Sequence, residues 1–129
     1  MPKVLKITTT GEQIPVCIDG DIRIQFEQIY KLIHCDCIEI VRLTPQIVMI
    51  VDDEGIINDA KYNRLASLLY CFPICGDVLL AGVQPGDDGY DLSDLPETWL
   101  DDILDLHYRK AMEALKPHFI DDLPEVPEI

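Results

Sequence analysis

Basic residues are scarce in this chain, since 10 Lys and Arg stand against 24 Asp and Glu, a formal net charge of −14. Proteins that bind nucleic acids use Lys and Arg to neutralise phosphates, so we expect no direct nucleic-acid binding. The imbalance is uneven: residues 84–129 carry 13 acidic and 3 basic side chains, and residues 1–83 carry 11 and 7. The C-terminal third therefore concentrates a negative field that attracts basic protein surfaces, although solubility alone also explains such a charge.

Long apolar runs are also lacking. No segment approaches the roughly 20 apolar residues that a membrane-spanning helix needs. The first residues, "MPKVLKITTTGEQ", lack the apolar centre of a signal peptide. We therefore expect a cytoplasmic protein without membrane contact, in the host cell if a phage encodes it. The cysteines number five, and an odd count in such a compartment favours reduced thiols.

The residue patterns of metal sites are incomplete. The stretch "HCDC" at 34–37 brings metal-binding side chains together, but structural zinc sites draw on a second, separated pair of ligands. Cys71 and Cys75 are one residue too far apart to supply that pair. The acidic turn 52–54 does not have a Glu twelve positions into the loop, as an EF-hand requires. We expect no metal and no cofactor, with the cysteines packed in a core or at strand ends.

Catalytic patterns are similarly absent. The two serines lack the GxSxG context of a nucleophile elbow. A pair formed by Cys35 or Cys75 with His107 or His118 stays open as a minor alternative, without a local signature to support it. The sequence therefore predicts a protein that is not an enzyme.

Hydrophobic periodicity predicts an α+β fold in a single domain, with the order ββαββαβ and a C-terminal acidic helix. The sheet is expected to be mainly antiparallel and packed by two helices. "IVMIV" (47–51) predicts a central strand covered on both faces, because it is apolar without alternation. Strands are predicted at 3–10, 12–19, 37–43 and 76–83, helices at 22–33, 59–71 and from Ser93 or Asp94 to Pro117, and a loop at 84–91.

Three regions follow from this pattern. Residues 1–84 form the α+β core, and residues 85–117 form a loop and an amphipathic helix that packs on the core or on a partner. Residues 118–129 form an acidic, proline-containing tail. Asn63 and Arg64 start the second helix beside the acidic turn. They are interpreted as a local cap and an ion pair with the turn. In the alternative interpretation, Asn63 helps to hold a ligand or a neighbouring loop. The predicted interaction residues are Glu54, Asn63, Arg64, Trp99, Asp101, Asp102 and Asp105.

The segments "CIEIVRL", "IVMIVDDEGIINDAKYNRLA" and "ICGDVLLAGV", in this order, resemble a family of small phage and bacterial proteins known as a domain of unknown function (number 3846). The resemblance covers roughly residues 3–83, and the segment from Pro85 onward looks like an extension. It implies a phage, prophage or mobile-element setting and a small accessory role, and supplies no catalytic residues. The positions that match its marks are Glu54, Gly55, Asn63, Gly76 and Gly82.

The leading hypothesis is a non-enzymatic binding protein whose acidic surface engages a host or phage protein and modulates a defence system. One alternative is a DNA mimic. Another binds or sequesters a small ligand or nucleotide signal, and the scarcity of basic residues limits it. Self-association as a homodimer through the terminal helix is a further expectation. The DNA mimic would use Asp87, Asp88, Asp91, Asp94, Asp101, Asp102 and Asp105, and the ligand binder Arg23, Arg42 and Arg64.

Overall fold

A computed structural model describes residues 2–19, 22–35, 37–55, 60–86 and 89–115. The predicted tail at 118–129, which includes His118, lies outside these ranges. Asp36, Asp87 and Asp88 lie outside them as well. The elements are β1 Lys3–Ile7, β2 Gln13–Cys17, α1 Ile22–Ile33, β3 Ile38–Thr44, β4 Ile47–Asp52, α2 Arg64–Tyr70, β5 Val78–Gly86, β6 Gly89–Ser93 and α3 Trp99–Leu115. The α+β class and the C-terminal helix are confirmed.

Within the described residues the strands form one antiparallel sheet in the order β2-β1-β5-β4-β3. The sixth strand, β6, pairs with residues 82–86 of β5, and β1 pairs with residues 78–80. A backbone hydrogen bond from Leu95 N to Lys3 O (2.9 Å) joins the end of β6 to the start of β1. The long strand β5 therefore organises the sheet, with β4 on one side and β1 and β6 in succession on the other.

Strand β4 contributes to both faces of the sheet, as its unbroken apolar sequence predicts. Ile47, Met49 and Val51 join the core cluster beneath α2 and α3. Val48 and Ile50 join the cluster beneath α1. Successive side chains on a strand point to opposite faces, so only a strand covered by helices on both sides needs an apolar residue at every position.

The helices pack against the sheet through short apolar stripes. Helix α1 places Ile29 and Ile33 in one cluster, while Leu69 of α2 and Ile103 of α3 enter the other. Ile103 has no exposed surface. Full burial of an isoleucine side chain stabilises the folded state by about 1.5–3 kcal/mol. The first half of α3 is therefore anchored to the sheet of its own chain.

Three predicted boundaries were wrong. The segment 84–91 was predicted as a loop, but β5 continues to Gly86 and pairs with β6. Helix α2 starts at Arg64 and not near residue 59, because Tyr62 instead forms a β-bridge with Cys75. Helix α3 starts at Trp99 and not near Ser93, because Ser93 belongs to β6 and the next two residues, Asp94 and Leu95, form hydrogen bonds with the backbone of Lys3 in β1.

Candidate functional site

Asn63 lies at the centre of a hydrogen-bonded junction below the sheet. Its Oδ1 accepts a hydrogen bond from Ala66 N (3.1 Å), so it is the N-cap of α2. Its Nδ2 donates to Ile7 O (3.1 Å) and to Gly76 O (2.9 Å). The side chain is 0% exposed. Asn63 therefore caps the helix and holds the neighbouring loop, and in this arrangement it presents no surface to a partner.

Two glycines among the predicted family marks lie where the backbone approaches itself closely. A Cβ added at Gly55 would lie 2.6 Å from Cys75 O. A Cβ added at Gly82 would overlap the carbonyl oxygen of Asp94. Gly76 has a φ of +92°, in the left-handed region that glycine tolerates. These positions therefore have structural reasons for glycine, and Gly55 and Gly76 lie beside the Asn63 junction.

A groove of ≈ 610 Å³ opens beside this junction, between the β3–β4 edge of the sheet and the segment that follows α2. The acidic turn and the aromatic end of α2 both contribute to its wall. Its lining consists of Glu39, Val41, Val51, Asp52, Asp53, Gly55, Tyr70, Phe72, Pro73, Ile74 and Cys75.

The lining of the groove combines negative charge with apolar surface. Glu39, Asp52 and Asp53 supply carboxylates, and no Lys or Arg belongs to the described lining. The rings of Tyr70 and Phe72 meet edge to face, with centroids 6.2 Å apart, and Phe72 is 64% exposed. Asp52 also shapes the turn, since its Oδ1 accepts a hydrogen bond from Glu54 N (2.9 Å). A site of this composition suits a group that is cationic at its tip and apolar along its length.

The predicted acidic residues of α3 lie on its solvent side. At about 100° per residue, Asp101, Asp102 and Asp105 fall within one arc of roughly 100°, opposite the buried Ile103. Asp102 accepts a hydrogen bond from Thr98 Oγ1 (2.9 Å), and Asp105 forms an ion pair with Arg109 (3.1 Å). They are separate from the groove, because none of them lines it.

The other predicted interaction residues occupy different places. Trp99 packs partly buried against the core of its own chain. Glu54 is exposed on the acidic turn, next to the groove lining but outside it. Arg64 is exposed at the first position of α2, and the described residues offer it no ion-pair partner within reach. The expected ion pair from the turn to Arg64 is thus not formed among these residues.

A thiol and an imidazole meet near the surface where α2 ends. Cys71 Sγ lies 3.9 Å from His107 Nδ1, and both Cys71 and its helix end are exposed. This is a different pairing from those considered in the sequence, which involved Cys35 or Cys75. Proximity of this kind permits proton exchange between the two groups, but nucleophilic catalysis also needs the base to be oriented by a third group. None of the five cysteines, all of which lie within the described ranges, forms a disulfide.

The described ranges contain neither a metal-binding cluster nor a membrane-spanning helix. Among the described residues no three His, Cys, Asp or Glu side chains are grouped so as to hold a metal ion. Cys35 and Cys37 of "HCDC" lie at the end of α1 and the approach to β3. No helix in the described part of the chain is long and apolar enough to cross a bilayer.

The sequence interpretation missed the groove. In the sequence, Asp52 and Asp53 are recognised only as part of an acidic turn, and Glu39, Tyr70 and Phe72 are not predicted to lie beside them. A signal was available in "LLYCFP", where an aromatic pair precedes a proline that stops the helix. That signal shows exposed aromatic side chains after a helix end, but not the carboxylates that the sheet brings beside them.

The fold and this site define a small α+β domain with a tightly joined turn–helix junction and an acidic, partly aromatic groove. The chain belongs to the family described as Domain of unknown function (DUF3846), whose sequence model matches residues 2–106. The family region thus reaches past the predicted limit at 83 and includes β6 and the first half of α3, so this part is not an extension of the family. No curated protein and no solved structure matches the chain significantly.

Proposed function

We propose that this chain is a small, non-enzymatic accessory protein that binds a basic segment of another protein. The groove is the observation that carries the proposal, because its described lining joins three carboxylates to apolar and aromatic side chains and includes no Lys or Arg. Charge complementarity of this kind steers a basic partner to the site and disfavours acidic ones.

The chemistry of the lining favours Arg or Lys side chains over simple inorganic cations. Their aliphatic stems can lie along Val41, Val51 and Ile74 while the charged head reaches a carboxylate. An Arg guanidinium stacked on Tyr70 or Phe72 would add about 0.5–1 kcal/mol at such an exposed place. Each contact is modest, so binding would depend on several of them acting together.

The position of the groove suits an extended segment. Strand β3 ends the sheet, and within the described residues its outer edge pairs with no strand. A free edge offers unpaired backbone groups to an incoming strand, and alternate side chains of that strand would face the groove. Glu39 and Val41 on β3 are two residues apart and both line the groove.

The biological setting rests on family membership. The resemblance implies a phage, prophage or mobile element, and we propose that the partner is a host or phage protein in the cytoplasm of the host cell. Modulation of a host defence system is the role that this setting favours. A charge of −14 supports a partner with a basic surface.

Chemical-shift mapping tests the proposal with defined probes. A capped peptide of alternating arginine and leucine is titrated into the labelled chain, and a matched glutamate–leucine peptide is the control. We expect the amide signals of β3, the acidic turn and residues 70–75 to shift when the arginine peptide is added. The glutamate peptide should leave them unchanged. Shifts spread over all acidic surfaces, or equal effects of both peptides, would exclude the groove as a binding site.

The alternative of a nucleotide-binding protein is tested separately. An anionic nucleotide would meet Glu39, Asp52 and Asp53 in the groove, and like charges disfavour its binding there. We expect a thermal-shift screen over nucleotides to leave the melting temperature unchanged. A stabilising nucleotide would favour the ligand-binding alternative. The DNA-mimic alternative stays a prediction, and three of its described carboxylates, Asp94, Asp102 and Asp105, already have intramolecular partners.

A further inference from the structure

The backbone of β3 directs every second N–H and C=O group away from the sheet. Asp53 N donates to Cys37 O (3.0 Å), which establishes which residues of β3 form hydrogen bonds with β4. Because these bonds alternate along an antiparallel pair, Glu39 turns its backbone groups towards β4. Ile38 and Ile40 therefore turn theirs outward, and no other strand in the described part of the chain pairs with them.

The opposite end of the sheet, at β2, is closed to a further strand by a proline. Pro15 lies in the middle of β2, opposite Leu5 of β1. The hydrogen bond from Ile18 N to Pro2 O (3.0 Å) establishes the alternation here, and it places Pro15 among the outward-facing positions. A proline at such a position offers no donor, which protects an edge from strand addition. Strand β3, with the sequence IEIVRLT, has no such protection.

The two sides of β3 have different chemistry. Glu39 and Val41 face the acidic groove. Ile38 packs against the core cluster beneath α1, and Ile40 points to this same side with 50% of its surface exposed. A strand added beside β3 would place alternate side chains on these two sides. Basic residues would suit the groove side, and apolar residues would cover the exposed part of Ile40.

We infer that the partner segment binds as a further antiparallel strand along Ile38–Arg42, the part of β3 whose register with β4 is regular. This inference rests on the proposed function of the groove, and it specifies the partner as an extended segment in which basic and apolar residues alternate. The antiparallel direction matches every strand pair of the described sheet, and it is slightly the more stable one.

The direction of the added strand determines which of its amides bond to β3. In an antiparallel pair, the residue opposite Ile40 exchanges both hydrogen bonds with it and points its side chain to the same side. For a peptide of alternating arginine and leucine, the leucine N–H groups would therefore face β3, and the arginine N–H groups would face solvent. In a parallel pair, the residues that bond to Ile40 are the neighbours of the one opposite, so the arginine N–H groups would face β3.

N-methylated peptides test this arrangement with the full chain. Two versions of the arginine–leucine peptide carry equal numbers of N-methyl groups, one on the leucine amides and the other on the arginine amides. By calorimetry, we expect the arginine-methylated peptide to bind like the unmodified one and the leucine-methylated peptide to bind more than about tenfold more weakly.

The other outcomes separate this inference from the proposed function. Equal affinities of the two methylated peptides overturn strand addition, and binding of the unmodified peptide would then still support the groove as a site. A loss confined to the arginine-methylated peptide overturns the antiparallel direction. An unmodified peptide that does not bind overturns the proposed function and this inference together.

A pair of variants tests the same edge from the protein side. Ile40→Pro removes an outward N–H group at a position where an edge strand tolerates proline. The control, Ile40→Thr, keeps this N–H group and a β-branched side chain. We expect Ile40→Pro to bind the unmodified peptide about tenfold more weakly than Ile40→Thr does, and equal affinities overturn the inference. Far-UV circular dichroism checks that both variants are folded, and the peptide comparison does not depend on them.

Discussion

Asn63 Nδ2 donates a hydrogen bond over 3.1 Å to the backbone carbonyl oxygen of Ile7, which lies 56 positions earlier in the chain. The same amide nitrogen donates to Gly76 O, and the side-chain oxygen caps α2. One buried side chain thus joins the end of β1, the start of α2 and the entrance to β5. The groove lies next to this junction, so its shape depends on the same contacts.

Replacing Asn63 with Ala should destabilise the fold strongly. The substitution removes a helix cap and the amide donor to the carbonyl oxygens of Ile7 and Gly76, at a cost of about 2–4 kcal/mol. Urea unfolding followed by circular dichroism measures this cost. The neighbouring exposed residue gives the control, since Arg64→Ala should change the free energy of unfolding by no more than about 0.5 kcal/mol. Equal effects of both substitutions would contradict the structural role of Asn63.

Adding a methyl group at Gly55 should also be costly. The new Cβ would lie 2.6 Å from Cys75 O, so the acidic turn or the segment after Pro73 must move. We expect Gly55→Ala to lower the free energy of unfolding by about 1–3 kcal/mol. The adjacent, exposed Glu54→Ala is the matched control and should be nearly neutral. A Gly55→Ala chain as stable as the wild type would show that the backbone at Gly55 does not lie this close to Cys75 O in solution.

Two consecutive residues of α3 should respond differently to truncation. Ile103 is 0% exposed and Leu104 is 52% exposed. Ile103→Ala leaves a cavity in the core and should cost about 2–5 kcal/mol, while Leu104→Ala should change the stability of the monomer by no more than about 0.5 kcal/mol. Chemical denaturation at low protein concentration measures both. A neutral Ile103→Ala would mean that α3 does not pack on its own sheet in solution.

The thiols should differ in their reaction with iodoacetamide in the folded protein. Cys17, Cys37 and Cys71 are exposed, whereas Cys35 and Cys75 are partly covered. Access to the reagent limits the rate, so the exposed group should be alkylated first. Peptide mass spectrometry after short exposures gives the order, and unfolding in urea should remove the difference. If Cys75 reacted as fast as Cys71 in the folded state, the partial burial of Cys75 in the groove wall would be contradicted.

Local patterns were enough to predict most of the fold. The run Ile47–Val51 indicates a two-sided strand because no alternating solvent face is present, and the helical spacing of Ile29 and Ile33 identifies the side of α1 that packs. Asn63 was recognised as a cap, but its bonds to Ile7 and Gly76 depend on strand positions that the sequence does not specify. Strand β6 was missed because its pairing with β5 compensates for a short and polar sequence.

The candidate site was less predictable for the same reason. Glu39, Asp53 and Phe72 belong to three separate segments, and the sheet and the end of α2 bring them together. The exposed apolar residues of α3 between Leu100 and Leu115 have helical spacing. The sequence alone does not show that Trp99 and Ile103 form the side of the helix that packs on the sheet. Which side of an amphipathic helix stays free depends on its rotation about the core.

The central claim is that the groove, and not the general negative charge, binds a basic protein segment. The most direct measurement compares, by calorimetry, the Kd of the arginine–leucine peptide for two variants of equal net charge. Glu39→Gln with Asp53→Asn alters the groove, and Glu97→Gln with Asp101→Asn alters the region of α3. We expect the groove variant to bind about tenfold more weakly, a loss of about 1.4 kcal/mol, and the α3 variant to bind like the wild type. Equal weakening by both variants, or a loss confined to the α3 variant, would contradict the account.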